Sequence, residues 1–335
     1  MLWKHLSWTS LRITLEAEQD CRLPAYKGSM LRGAMGHRLQ EQACWWAGRE
    51  RCSGHSSSGN CQRPHACAFG ALWDSAPGFR GEPPKPYVIV PPIGEAGQRL
   101  EYSAGEQISW EILLVGEARP WAPWLLNSLQ NCWHLGSDRS AWQTVLIEIE
   151  MRLGEFEPLP AGCSPDYWPV IEADQIQETS SYSPQAELNF LTPVDIKTKG
   201  RRDQPLTGYE FASRAVGRVV DLVASYCSDI SAEEIQLARQ LAVPVQLGDE
   251  SLDREEWQRF SSTHGTHRLT GLSGQVILKN ISPELWVYLQ LGQFIHIGKG
   301  ASFGQGRYLL HPLEKPDRDE FSSESFTPSL ASYPE

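Results

Sequence analysis

Apolar and polar residues alternate through Leu11, Ile13 and Leu15, which predicts a first strand with one buried face. Pro24 and Gly28 punctuate the chain, and Met30, Leu31, Ala34, Met35 and Leu39 then recur at helical spacing, predicting a helix over Ser29–Cys44. Gly33 and Gly36 inside it each cost about 1 kcal/mol against Ala, so close approach by a neighbouring group or tight packing is expected there. Strands follow at Tyr87–Val90 and Ile108–Val115, a helix at Trp121–Trp133 and a strand at Val145–Ile149. Strand, helix, strand, strand, helix, strand is the ferredoxin-like order.

The second half repeats that order without repeating the sequence. Strands are predicted at Leu188–Ile196, Leu269–Leu278 and Arg307–His311, and helices at Gly208–Tyr226, Ser231–Leu241 and Pro283–Phe294. Ser231 with Glu234 reads as a capping box. The fold class is therefore α+β, with two tandem ferredoxin-like domains. The first spans 1–153 with a Cys-rich insertion at 44–67, a Pro-, Ser- and acid-rich linker occupies 154–187, and the second domain spans 188–313. A tail, 314–335, is expected to be disordered from its Pro, Ser and acidic content.

Before the last strand lies the most distinctive stretch, Gln293–Tyr308. Gly298, Gly300, Gly304 and Gly306 alternate with Lys299, Ser302, Phe303 and Arg307, so a backbone free to take positive φ stands beside two cations. That composition suits a phosphate or a glycine-rich turn. It is not a nucleotide P-loop, because Gly300 follows Lys299 where a Ser or Thr would hold magnesium. Nor do the glycine intervals fit a dinucleotide fingerprint.

Net charge narrows the picture. At −11 the chain is unsuited to binding nucleic acid over its whole surface, yet Lys197, Lys199, Arg201 and Arg202 cluster within six positions, so a local basic groove remains open. No apolar run approaches membrane-spanning length, and the N-terminus alternates rather than forming a signal block, so a cytoplasmic protein without membrane contact is expected. Cys44, Cys52, Cys61 and Cys67 lie in a loop poor in apolar residues. Four thiolates suit a structural zinc, with His55 and His65 as substitutes, although gaps of seven, eight and five residues are wider than in ordinary fingers. Free or redox-active cysteines are the alternative.

Three motifs carry a family resemblance. His296-Ile297-Gly298, Lys299 to Phe303, and Gly304-Gln305-Gly306 resemble a glycine loop in which His296 replaces a first glycine. Leu191-Thr192-Pro193 with Lys197 and Lys199, and Tyr26-Lys27-Gly28-Ser29-Met30-Leu31-Arg32-Gly33, complete the set. The chain thus resembles the RAMP superfamily of CRISPR systems, and within it the endoribonucleases that cut precursor CRISPR RNA at its repeats.

The resemblance implies a metal-free reaction. A ribose 2′-OH attacks the adjacent phosphate, leaving a 2′,3′-cyclic phosphate and a free 5′-OH, with a base, an acid and cations in attendance. It places a histidine on or near the first helix, here His37, with His296 as a rival proton carrier. Lys27, Arg32 and Arg38 are candidates for charge stabilisation and Tyr26 for placing the ribose. RNA would be held by Lys197, Lys199, Arg201, Arg202, Arg214, Arg218, Arg268, Lys299 and Arg307 and the glycine loop, with Phe303 and Tyr308 as stacking faces. His264 and His267 are further groove candidates. Repeat RNA or mature crRNA is the implied partner, and other CRISPR effector subunits would join it if the chain holds RNA without cutting it.

Overall fold

The computed structural model describes residues 1–43, 67–73, 84–130, 133–179, 181–197, 205–261 and 265–313, with backbone alone at Ala96 and at 178–179, 257–261 and 265–269. After a short 3-10 turn, β1 (Ser7–Ala17), β2 (Cys21–Arg22) and α1 (Gly28–Ala43) open the first half. It continues through α2 (Ala68–Trp73), β3 (Tyr87–Val90), α3 (Gly94–Gln98), β4 (Glu101–Tyr102), β5 (Gln107–Val115), α4 (Ala122–Leu129), β6 (Trp133–Leu135) and β7 (Ser140–Arg152). Then come β8 (Glu155–Pro158), β9 (Ile171–Glu172) and α5 (Ala173–Thr179). The second half holds β10 (Gln185–Val194), α6 (Gly208–Tyr226), α7 (Ala232–Gln240), β11 (Gln246–Ser261), β12 (Gly265–Lys279), α8 (Pro283–Ile295) and β13 (Tyr308–Pro312).

Both main sheets are antiparallel. The first runs β3-β5-β1-β7-β6 and the second β11-β12-β10-β13. Numbering the four principal strands of each half in chain order gives 2-3-1-4 and 2-3-1-4 again, the ferredoxin-like arrangement, so the doubled fold is present. Leu11, Ile13 and Leu15 pair across to Ile112, Trp110 and Ile108. These residues, with Tyr87, Ile89 and Leu114, face α1 and α4 in one core.

Period-two alternation gives the opposite face to the second half. Trp8, Val88, Val90, Leu113 and Val115 join a second core with α6 and α8, and the Trp8 and Phe294 rings stack at 5.7 Å. The two domains are thus welded through the back of the first sheet.

Two expectations are revised, and a further long strand appears. Segment 154–187 is not a loose connector: β8 pairs with β7, β9 pairs with β1, and Trp168, Ile171 and Ile176 are buried. The helix at Trp121 gives way after Leu129, and Trp133 belongs to β6. β11, acid-rich over Asp249–Glu256, has the composition of a loop, yet pairs along most of β12. The tail 314–335 lies outside the described residues. Among those residues no helix is long and apolar enough to cross a membrane.

Candidate functional site

The site forms where the glycine loop of the second half lodges against the first. Ile297 N–H donates to Gly306 O at 3.1 Å, Lys299 N–H to Asp195 O at 3.0 Å, and Gly306 N–H to Pro193 O at 3.0 Å, pinning the loop to the end of β10. Thr192 Oγ1 donates to Gly304 O at 2.7 Å and accepts Arg307 N–H at 2.9 Å, which is the structural work of the Leu-Thr-Pro element. Gly304 has φ +96°, and a Cβ there would run into the Pro91 ring beside β3. Only glycine meets both demands. Most amides of the loop are therefore spent on internal bonds, so the loop is an interdomain wedge more than an open cradle.

The wedge touches the start of α1. A Cβ on Gly28 would collide with Phe303 O, which also accepts the Tyr26 hydroxyl. Arg32 lies with its guanidinium 5.8 Å from the ring centres of Phe303 and of Trp73, and its Nε donates to the Tyr87 hydroxyl at 2.9 Å. Cation–π contact and hydrogen bonding so join loop, α1, α2 and β3 in one cluster.

Lys27 is placed differently from its expected charge-stabilising role. It is 1 % exposed, and its ammonium donates to Gly97 O at 2.9 Å, Arg99 O at 2.8 Å and Pro24 O at 3.4 Å. Burial, and secondarily Arg99, lowers its pKa to about 8. Such a lysine staples the α1 entry to the loop carrying α3 and is turned away from ligand. Tyr26, with its hydroxyl committed to Phe303 O, is likewise part of the wedge.

His37 stands on the open side of α1. It is exposed, and apart from the adjoining residues and the helix's own backbone nothing lies within 4 Å of where a Cβ on Gly33, one turn earlier, would be. Gly36, by contrast, packs against Trp73, so the two helix glycines differ: one admits a side chain, the other leaves space. Nine residues separate Gly28 from His37, about 14 Å along the helix axis. Arg38 Nε donates to Ser128 O at 2.9 Å, anchoring α1 to α4.

His296 is the opposite case. It follows α8 with φ 54° and ψ 158°, is 0 % exposed, and has no hydrogen-bond partner on either ring nitrogen. Burial first, then Arg307 and Arg218, pushes its pKa well below the ordinary histidine value. A neutral imidazole sealed from solvent cannot exchange protons with a substrate at the surface, so the geometry does not suit a proton carrier.

Among the proposed RNA contacts, Lys197, Arg214 and Lys299 are exposed, while Arg218 and Arg307 are half-buried. The bond from Lys299 to Asp195 brings Lys299 and Lys197 to one edge of the second domain. Gly298, Gly300, Ser302 and Phe303 are half-exposed and Gly304 and Gly306 buried, whereas Tyr308 is a core ring donating to Leu289 O at 2.6 Å, which removes it as a stacking face. Lys199, Arg201, Arg202 and His264 lie outside the described residues, as do the side chains of His267 and Arg268. Of the four proposed zinc ligands, Cys44, Cys52 and Cys61 lie outside them too, and Cys67 Sγ accepts Gly70 N–H at 3.3 Å. Among the described residues no group of three or more His, Cys, Asp or Glu gathers as a metal site.

Residue types alone did not expose the Arg32–Trp73–Tyr87 cluster. A signal exists in hindsight, since Trp73 and Tyr87 flank a long insertion and only helical register brings Arg32 to them.

Comparison with known proteins adds two family matches. Residues 6–162 match a model described as an N-terminal domain, and residues 188–308 match that of the CRISPR-associated endoribonuclease Cas6. No curated protein matches the chain. A partial Cas6-RT-Cas1–Cas2 complex aligns at 14% identity and TM-score 0.56, over 94% of this chain and 48% of that one. The chain thus spans about half the length of that relative. A Cas6 product complex aligns at 16% identity and TM-score 0.54, over 90% of this chain and 99% of that one. A second Cas6 product complex gives 16% and 0.51, over 91% and 99%. At such identities the structural likeness is one of fold.

Proposed function

We infer that this chain, a member of the CRISPR-associated Cas6 family by its C-terminal domain, binds the repeats of precursor CRISPR RNA and cuts them without a metal ion. The observation that carries the reading is the seating of the matched domain's glycine loop on the helix that presents His37. That contact holds an RNA-gripping edge and a proton-transfer group in fixed relation, which is what positioning catalysis requires.

In the proposed reaction the ribose 2′-oxygen bonds to the adjacent phosphorus as the bond to the 5′-oxygen breaks. The 2′-hydroxyl proton leaves to a base, and the departing oxygen takes a proton from an acid. Products are a 2′,3′-cyclic phosphate and a 5′-hydroxyl. His37 serves one of these two proton transfers, and its exposed position on α1 leaves room for the ribose over Gly33. Lys197, Lys299 and Arg214 are solvent-facing cations available to backbone phosphates. That solved relatives include product complexes, and an assembly with Cas1 and Cas2, supports RNA and CRISPR proteins as partners.

The test incubates the purified chain with its cognate repeat RNA in EDTA. Cleavage leaving a cyclic phosphate, lost in His37→Ala while binding persists, is the expected result. Tight binding without cleavage would instead identify a guide-holding subunit, and absence of binding would overturn both.

A further inference from the structure

Arg32 is held in an aromatic cage that leaves one edge of its guanidinium unused. Its Cζ lies over the rings of Phe303, from the glycine loop, and Trp73, from α2, at 5.8 Å from each centre. Each ring is seated by a missing side chain: a Cβ on Gly300 would stand 2.8 Å from Phe303 Cε2, and one on Gly36 would collide with the Trp73 indole. Tyr87 closes the cage. Its ring stacks on Trp73 at 4.5 Å and 18°, and its hydroxyl accepts Arg32 Nε–H at 2.9 Å.

The two Nη atoms remain. Among the described residues neither is hydrogen-bonded and the guanidinium is in no ion pair, although the chain carries 41 acidic residues. Neither atom is buried, so this fork opens to solvent from a half-exposed side chain. Fixing so flexible a side chain costs rotamer entropy, and a cost met before binding becomes affinity on binding. With Nε taken by Tyr87, the fork suits a ligand that sets two acceptors side by side in its plane. On an RNA those are a phosphate and the O6/N7 edge of guanine. The half-exposed Phe303 ring favours the second, because a base has a flat face to lay beside a ring and a phosphate has none.

We propose that Arg32 is a specificity-determining residue that reads one guanine of the bound RNA, its Nη pair donating to O6 and N7. The proposal rests on the function inferred above, and it takes Arg32 out of charge stabilisation. Five residues separate Arg32 from His37, about 7.5 Å along the axis of α1, so the guanine belongs to a nucleotide close to the scissile phosphate. Arg32 thus selects where His37 acts.

The test measures binding of the full chain, carrying His37→Ala to stop cleavage, to its cognate repeat RNA with each guanine in turn replaced by 7-deazaguanine. That base keeps its pairing edge and lacks only the N7 acceptor. At one guanine the replacement should weaken binding about tenfold or more, as expected for a hydrogen bond to a charged group. Adding Arg32→Lys should weaken binding of the unmodified RNA and abolish the difference between the two bases. A repeat in which no guanine is sensitive overturns the proposal. So does a sensitive guanine to which Arg32→Lys remains equally sensitive, since another residue then reads it. Should Arg32→Gln lower the slope of log affinity against log salt by about 0.7 while every guanine is indifferent, the fork holds a phosphate and the base assignment falls. If Arg32→Lys does not fold, Phe303→Leu removes one wall of the cage and keeps the backbone carbonyl that Tyr26 and Gly28 meet. The sensitivity should then shrink, and an unchanged one overturns the proposal. Absence of RNA binding by the unsubstituted chain overturns the functional reading and the guanine with it, whereas binding without a sensitive guanine overturns the guanine alone.

Discussion

His37 stands on the open face of α1 with vacant space over Gly33, whereas His296 caps the end of α8 with no exposed surface and a backbone bent into glycine territory. The two imidazoles are chemically identical. Their surroundings set them apart: one is open to solvent, and the other is held neutral by burial between guanidiniums. The same division runs through α1. Its start, with Lys27 and Gly28, is sealed into the interdomain wedge, whereas His37 in its third turn is exposed. Proximity in sequence to a reactive-looking motif is thus a poor guide to chemistry, and exposure is a better one.

The largest effect separating the two regions should come from His37→Ala. Loss of a general acid or base slows cleavage about 10²–10⁴-fold. Single-turnover rates on repeat RNA measure this, and RNA affinity should stay within a few-fold of wild type. A His296→Gly variant cleaving as slowly as His37→Ala would reverse the comparison.

Lys27→Met comes next and tests the sealed end of α1. Its side chain is nearly isosteric but leaves three carbonyls, that of Gly97 buried, without their donor, an expected loss of about 2–3 kcal/mol in denaturant unfolding. Were Lys27 a substrate contact instead, cleavage would fall while the unfolding midpoint held. Gly28→Ala follows, with its methyl driven into Phe303 O. The glycine loop must then lift from α1. Cleavage should drop more than stability does, because the displaced loop carries Lys299 away from His37; equal activity in that variant would show the wedge to be packing alone.

Much of this architecture is legible in the chain. Periodicity alone marks α6 at Gly208–Tyr226, and the Ser231–Glu234 capping box appears where its spacing indicates. Strand β11 is illegible for a physical reason: Asp and Glu disfavour strands locally, and pairing along β12 overrides that preference. Likewise the motif Tyr26–Gly33 is readable as a unit, but not that its lysine donates inward to three carbonyls, since those carbonyls come from residues up to seventy-two positions away. The His-for-Gly replacement at 296 is visible as an oddity in the glycine loop. Its positive φ and unpartnered nitrogens follow only from its complete burial at the end of α8.

The smallest effect, and the one most specific to the buried histidine, concerns acid stability. The folded pKa of His296 lies well below the value of about 6.5 expected in the unfolded chain. Above pH 6.5 the imidazole is neutral in both states and contributes no slope. Below it the unfolded state gains a proton that the folded state does not, so stability falls with acidification by at most about 1.4 kcal/mol per pH unit until the folded pKa is reached. The acids Glu111 and Asp221 act on the neighbouring arginines, and their charge is shared by wild type and variant, so their titration cancels when the two are compared. His296→Gly removes that one slope and also relieves the positive-φ strain, offset in part by the added freedom of a glycine in the unfolded chain. The variant should therefore match or exceed wild type by about 1 kcal/mol at pH 7.5, and its advantage should widen between pH 6.5 and 5 in urea unfolding. A constant difference across that range would mean that His296 takes up a proton in the folded protein as easily as in the unfolded one, and the contrast with His37 would lose its electrostatic basis.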